Sequence, residues 1–186
     1  MGNGNTRVVI LNGVGSVGKS TIAKALQEIA HDSFLHVPMD SFLEMLPAKS
    51  YDTADGLTFH RTHHDGRPAV EIVTGPFAAQ TFHGMRLAVQ AMAEAGLNLI
   101  VDDVAAVGDI CEYRNLLAGH RLSIVGVLAS LPVLEARERS RGDRMVGLAR
   151  AQFAELHTGI AYDLMVDTDG RTPGQCASYI AEELEL

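Results

Sequence analysis

The chain has 186 residues, 47% of them hydrophobic and 20% charged, and a formal net charge of −8. This composition excludes a largely disordered chain, and no apolar run reaches the ~18 residues of a membrane span. The acidic balance argues against a general nucleic-acid binder, which carries a basic stripe. A single domain over residues 1–186 is expected, because a chain of this size buries enough surface to fold without disulfide or metal. Cys111 and Cys176 have no metal or redox spacing. With no signal peptide in view, a reduced, cytoplasmic setting is expected.

Val8–Leu11 is a continuous apolar run closed by Asn12-Gly13, the mark of a buried parallel strand. A helix follows from about Lys19, with Ile22, Ala25, Leu26 and Ile29 on one face. Phe34–Val37 reads as a second strand, and Asp40–Leu46 as a short helix stopped by Pro47. Residues 48–75 read as an irregular insertion in which Leu57–Thr62 and Pro68–Val73 pair around Asp65-Gly66 as a hairpin. Pro76 opens the longest helix. Strands are expected at Leu97–Val101, Ile124–Leu128 and Leu164–Val166. Helices are expected near Asp109–Leu117, from Pro132, over Val146–Leu156, and from the capping box Thr172-Pro173-Gly174-Gln175. Strands alternating with helices give an α/β fold: a parallel sheet of about five strands flanked by helices in three layers.

Gly13-Val14-Gly15-Ser16-Val17-Gly18-Lys19-Ser20 fits G-x-x-x-x-G-K-[ST], after a strand and opening a helix. Backbone N–H groups of such a loop curl around a phosphate, and the helix dipole adds positive charge. The loop and Thr21 form the expected ATP site, with Lys19 at the β- and γ-phosphates and the Ser20 hydroxyl on Mg²⁺. No guanine-specificity motif N-K-x-D is present, which argues against a GTPase. The third strand ends in Asp102-Asp103, and at least one of these belongs in the Mg²⁺ shell; the pattern does not say which. The residue after the first carboxylate is Asp rather than the Glu that motor-type ATPases commonly use on water. A small kinase fits better.

Asp40 follows the second strand, in the region where a parallel sheet gathers ligands. It suits two roles. As a base it orients an acceptor hydroxyl and receives its proton. As a helix N-cap it precedes Ser41-Phe42-Leu43. Five of twelve arginines fall between Arg137 and Arg150. Residues 137–147 read as a lid, with Arg141, Arg144 and Arg137 able to stabilise the transferring phosphoryl group; the competing reading is a solvated helix face pairing with Glu135 or Glu138. His60, His63 and His64 are assigned to a polar hairpin tip rather than to a metal site, which needs ligands from a second element.

Several segments together resemble the chloramphenicol phosphotransferases. They are Ile10-Leu11-Asn12-Gly13 leading into the phosphate loop, Asp40-Ser41 with Glu44-Met45-Leu46-Pro47, Ile100-Val101-Asp102-Asp103-Val104, Arg141-Gly142-Asp143-Arg144, and Tyr162-Asp163 through Val166-Asp167-Thr168. They occur in the family's order and cover nearly the whole chain. The resemblance implies a nucleoside-kinase-like fold, ATP-dependent 3-O-phosphorylation, and Asp40 as the catalytic base. It implies a small-molecule alcohol partner, chloramphenicol or similar. The stretch Ser50–Gly75 departs from the family pattern by its length. Two alternatives keep the same residues: a kinase of another hydroxyl metabolite, and a non-catalytic regulator that uses ATP as a conformational ligand. The regulator has no need of an acceptor base at Asp40.

Overall fold

The computed structural model describes residues 6–64, 66–141 and 145–186, with the side chain of Arg141 outside the description. Five parallel strands form the central sheet: β1 (Arg7–Asn12), β2 (Phe34–Pro38), β5 (Asn98–Asp103), β6 (Arg121–Leu128) and β7 (Leu164–Asp167). Their spatial order is β2-β5-β1-β6-β7. β3 (Leu57–His64) and β4 (Arg67–Thr74) form a separate antiparallel hairpin. The helices are α1 (Lys19–Ile29), α2 (Met39–Glu44), α3 (Pro76–Glu94), α4 (Val107–Leu116), α5 (Leu131–Arg141), α6 (Leu148–Phe153) and α7 (Pro173–Leu184).

The two-residue period of β1 divides the core. Val9 and Leu11 face a layer that includes Ile22 and Leu26 of α1, Leu134 of α5 and Ile180 of α7. Val8 and Ile10 face the other, with Met85 and Val89 of α3 and Ile110 and Tyr113 of α4. Both layers exclude water completely at β1, so each of these side chains contributes about 1.5–3 kcal/mol of burial. A third, smaller cluster of Leu46, Leu57 and Ala78 seats the hairpin against α2 and α3. The α/β fold with a five-stranded parallel sheet stands as the sequence indicates.

Boundaries differ in two informative places. β5 runs to Asp103, so Asp102 and Asp103 are paired strand residues opposite Leu11 and Asn12 rather than a loop beyond the strand. α2 begins at Met39, with Pro38 as its capping residue and no side-chain cap. Asp40 therefore sits inside the first turn, and the N-cap role is not the one it fills. The hairpin forms around the expected turn and is longer, pairing Leu57 with Thr74 through to His64 with Arg67. Alternation along β3 places His60 and His64 on one face and His63 on the other, so the three cannot converge on one ion. Among the described residues no cluster of three metal-ligating side chains occurs, and no helix is long and apolar enough to cross a membrane.

Candidate active site

The phosphate loop joins β1 to α1 at the carboxyl end of the sheet. Gly13 is required there by space: a Cβ would lie 2.5 Å from the Val127 carbonyl oxygen on β6. Its N–H donates to Asp103 O at 3.3 Å, tying the loop to β5. Lys19, the first residue of α1, is buried and folds back over the loop. Its Nζ donates to Gly13 O at 2.7 Å and Val14 O at 3.2 Å, and stands 3.8 Å from Asp102 Oδ1. Ser20 Oγ donates to Asp102 Oδ2 at 2.5 Å. Hydroxyl, ammonium and carboxylate thus converge.

The two adjacent aspartates have opposite environments, because successive strand residues face opposite sides of the sheet. Burial alone raises the Asp102 carboxyl. Neighbouring His36, Lys19 and Ser20 outweigh it and hold the group below its ordinary value. His36 Nε2 lies 3.5 Å from Asp102 Oδ2. Asp103 is raised, chiefly by burial and also by Asp109, against hydrogen bonds from Tyr113 and Val104. Tyr113 donates its hydroxyl to Oδ2 at 2.8 Å, tying the strand end to α4, and the Val104 N–H donates to Oδ1 at 2.7 Å, so both Asp103 oxygens are engaged.

A cavity of about 400 Å³ opens above the loop, lined by Gly15, Ser16, Gly18, Lys19, Ser20, Thr21, Lys24, Asp40 and Asp102 among others. Of the expected site residues, Gly15, Ser16, Gly18, Lys19, Ser20, Thr21, Asp40 and Asp102 line this cavity, while Gly13, Val14, Val17 and Asp103 do not. A glycine-rich backbone, a helix N-terminus and Lys19 form a cradle whose chemistry fits a polyphosphate. Ser20 and Asp102 form the oxygen pair that fits a divalent cation, which Asp103, held by Tyr113 and Val104, does not extend. A second cavity of about 420 Å³ adjoins the first, sharing Met39, Leu43, Ile72, Val104 and Gln152. Its walls add Leu57 and Thr74 of the hairpin, Ala79, Phe82 and Arg86 of α3, and Asp103 and Asp109. Arg86 is held there by Asp109 at 3.1 Å and Glu112 at 2.5 Å. Burial raises Glu112, but Arg86 and His83 outweigh it and lower the carboxyl.

Arg137 is placed differently from the expectation. Its guanidinium donates to Val17 O at 3.1 Å, Thr168 Oγ1 at 2.8 Å and Thr168 O at 3.1 Å. It lines a third cavity of about 300 Å³ with Val17, Thr168, Arg171 and Pro173, which shares Ser16, Gly18 and Thr21 with the first cavity, and it is absent from the walls around Lys19 and Asp40. The reason is its position on α5, one turn before Arg141, facing the end of β7. Arg144 and the side chain of Arg141 lie outside the described residues. The flanks of the segment expected as a lid are described: Glu138, buried in α5, accepts from Gly147 N at 2.7 Å and Ala149 N at 3.0 Å and so caps α6.

Three residues of this region carried no signal in the sequence. His36 is a lone histidine in a short strand, Gln152 an ordinary polar helix residue, and Tyr113 a helix aromatic. Each gains its place from a partner at long sequence separation.

A sequence profile described as "Chloramphenicol phosphotransferase-like protein" matches residues 6–185. A Mycobacterium tuberculosis protein with the provisional name O-phosphotransferase is 28% identical over 185 residues, covering 96% of this chain and 82% of its own. Among solved structures, a sugar kinase from Janibacter sp. HTCC2649 superposes with a TM-score of 0.67 at 19% identity, over 97% of this chain and 95% of its own. The APS kinase of Mycobacterium tuberculosis, solved with AMPPNP and APS, gives a TM-score of 0.64 at 18% identity over 97% and 98%. These two share the fold. With the profile spanning nearly the whole chain, the protein belongs to the chloramphenicol phosphotransferase-like family and is a P-loop phosphotransferase with a hydroxyl acceptor.

Proposed function

We propose that the protein transfers the γ-phosphoryl group of ATP, with Mg²⁺, to a hydroxyl of a small molecule, chloramphenicol or a similar alcohol. The observation that carries this reading is the adjacency of two cavities. One holds the loop, Lys19 and Asp40; the other is walled mainly by apolar side chains. Bound MgATP supplies the transferable phosphoryl group and neutralisation of its charge.

The chain's own residues do the rest. Loop N–H groups and Lys19 hold the phosphates and spread their negative charge. Ser20 and Asp102 would hold the cation, and the lowered Asp102 carboxyl is ionised for that task at neutral pH. Asp40 orients the acceptor hydroxyl and receives its proton as the new O–P bond forms and the bond from the γ-phosphorus to the bridging oxygen breaks, with ADP as the leaving group. Met39, Leu43, Leu57, Ile72 and Phe82 hold the acceptor's apolar body and exclude water, which protects ATP from hydrolysis. Arg141 and Arg144 remain assigned to the developing charge on the phosphoryl group. Incubation with ATP, Mg²⁺ and chloramphenicol, followed by mass spectrometry, tests the reading; the expected product is heavier by one phosphoryl group. No product, with transfer to another alcohol in a coupled assay, replaces the drug and keeps the kinase.

A second acceptor class has one observation in its favour. The far wall carries Arg86, Asp109 and Thr74, which suit an alcohol with several polar substituents. A panel running from aromatic alcohols to polyols separates the two classes. No turnover with any alcohol, together with tight MgATP binding, favours the regulator.

A further inference from the structure

We propose that Gln152 is a positioning residue that competes with nucleotide phosphate for the phosphate loop and, once displaced, serves the acceptor cavity. The inference rests on nucleotide binding by the loop and not on the identity of the acceptor.

The Gly15 N–H donates to Gln152 Oε1 at 2.9 Å. Gly15 is the third residue of the loop and lies on the same cavity wall as Lys19 and Asp40. A backbone N–H carries one hydrogen, so a phosphate oxygen and the Gln152 carboxamide are alternatives at that position. Gln152 is also a wall of the acceptor cavity. The other residues common to both cavities, Met39, Leu43, Ile72 and Val104, are apolar in their side chains. Gln152 is thus the polar side chain at the junction. Among the described residues its Nε2 has no protein partner, which leaves a donor for a polar group of the acceptor.

The helix beneath is fixed while the side chain exchanges partners. Glu138 caps α6 through Gly147 N and Ala149 N. Gly147 O accepts from Val70 N at 3.0 Å, binding α6 to the hairpin strand that supplies Ile72 and Thr74 to the acceptor cavity. A ligand that displaces the carboxamide from Gly15 therefore changes a group on the acceptor wall without moving the wall itself.

Calorimetric titration of MgATP into wild type, Gln152→Ala and Gln152→Glu, without acceptor, tests this. Removing the competitor in Gln152→Ala is expected to tighten MgATP about two- to tenfold, the range of one neutral hydrogen bond. A carboxylate at the same place repels phosphate, and Gln152→Glu is expected to weaken MgATP about tenfold or more. Both melting temperatures are measured to confirm folding. MgATP affinities within twofold of wild type in both folded variants overturn the proposal. With chloramphenicol as probe, Gln152→Ala is further expected to raise the acceptor KM while the KM for ATP falls. If wild type phosphorylates no alcohol, the kinase reading fails and the titration still decides the role of Gln152.

Discussion

Ser20 Oγ donates to Asp102 Oδ2 at 2.5 Å, joining the second residue of α1 to the penultimate residue of β5 across 82 positions of sequence. Strand alternation turns Asp102 toward the loop's cavity, and the bond holds it there. The next residue, Asp103, points through the sheet to Tyr113.

Asp102→Asn and Asp103→Asn are therefore expected to separate. Asp102→Asn should abolish Mg²⁺-dependent phosphoryl transfer while nucleotide still binds without the metal. Asp103→Asn should keep transfer, since an amide oxygen still accepts from Val104 N. The pH dependence differs in sign as well. Asp102 is lowered in the fold, so its stabilisation is present above the ordinary value of 3.8 and is lost as pH falls through the folded value. Asp103 is raised, so its stabilisation is complete below 3.8 and is lost as pH rises through the folded value. Thermal melts from pH 3 to 7, run in the ordinary approximate range of ~3–7, should show Asp103→Asn gaining on wild type as pH rises and Asp102→Asn losing.

Asp40 is in the first turn of α2, one residue past its start at Met39. Asp40→Asn is expected to lower kcat by roughly 10²–10⁴ with little change in nucleotide affinity, because the amide orients a hydroxyl but takes no proton. Loss of melting temperature with kcat retained would mark Asp40 as structural.

Continuous apolar runs, Pro at helix starts and the phosphate-loop spacing made the sheet and the helices legible in the sequence, and with them the placing of Lys19, Ser20 and Asp40 at one end of the sheet. These signals are local. The division of labour between Asp102 and Asp103 depends on which way each strand residue faces once β5 pairs with β1, and that register is a tertiary fact. Arg137 was grouped with its neighbours by charge, yet a helix turns 100° per residue and its partners Val17 and Thr168 lie on other elements. Gln152 was invisible for the same reason: its partner Gly15 is 137 residues away.

Arg137 ties the carbonyl of Val17 in the loop to Thr168 after β7. Arg137→Lys keeps the charge but loses the planar fork that spans both partners. The expected result is a raised KM for ATP with kcat near wild type, the mark of a ground-state contact. A role on the transferring phosphoryl group predicts the reverse, a fall in kcat at unchanged KM. Steady-state kinetics at saturating acceptor decide between them.

Gly147 joins the start of α6 to the hairpin. Its φ is +101°, a region that side-chain-bearing residues rarely adopt, and a Cβ there would lie 2.9 Å from both Ala69 Cα and Pro68 O. Gly147→Ala therefore meets backbone strain and a clash with backbone atoms that cannot swing aside. The expected cost is about 1–3 kcal/mol, read as a lowered melting temperature. The clash pushes α6 from β4 at the point where Val70 N donates to Gly147 O. β4 carries Ile72 and Thr74 on the acceptor wall, and the nucleotide loop is held separately by β1, β5 and Arg137. The kinetic effect should accordingly fall on the acceptor: a raised acceptor KM at a temperature where the variant remains folded, with ATP affinity changed far less. An equal loss of both affinities would mean that α6 supports the loop through Gln152 more than it supports the hairpin.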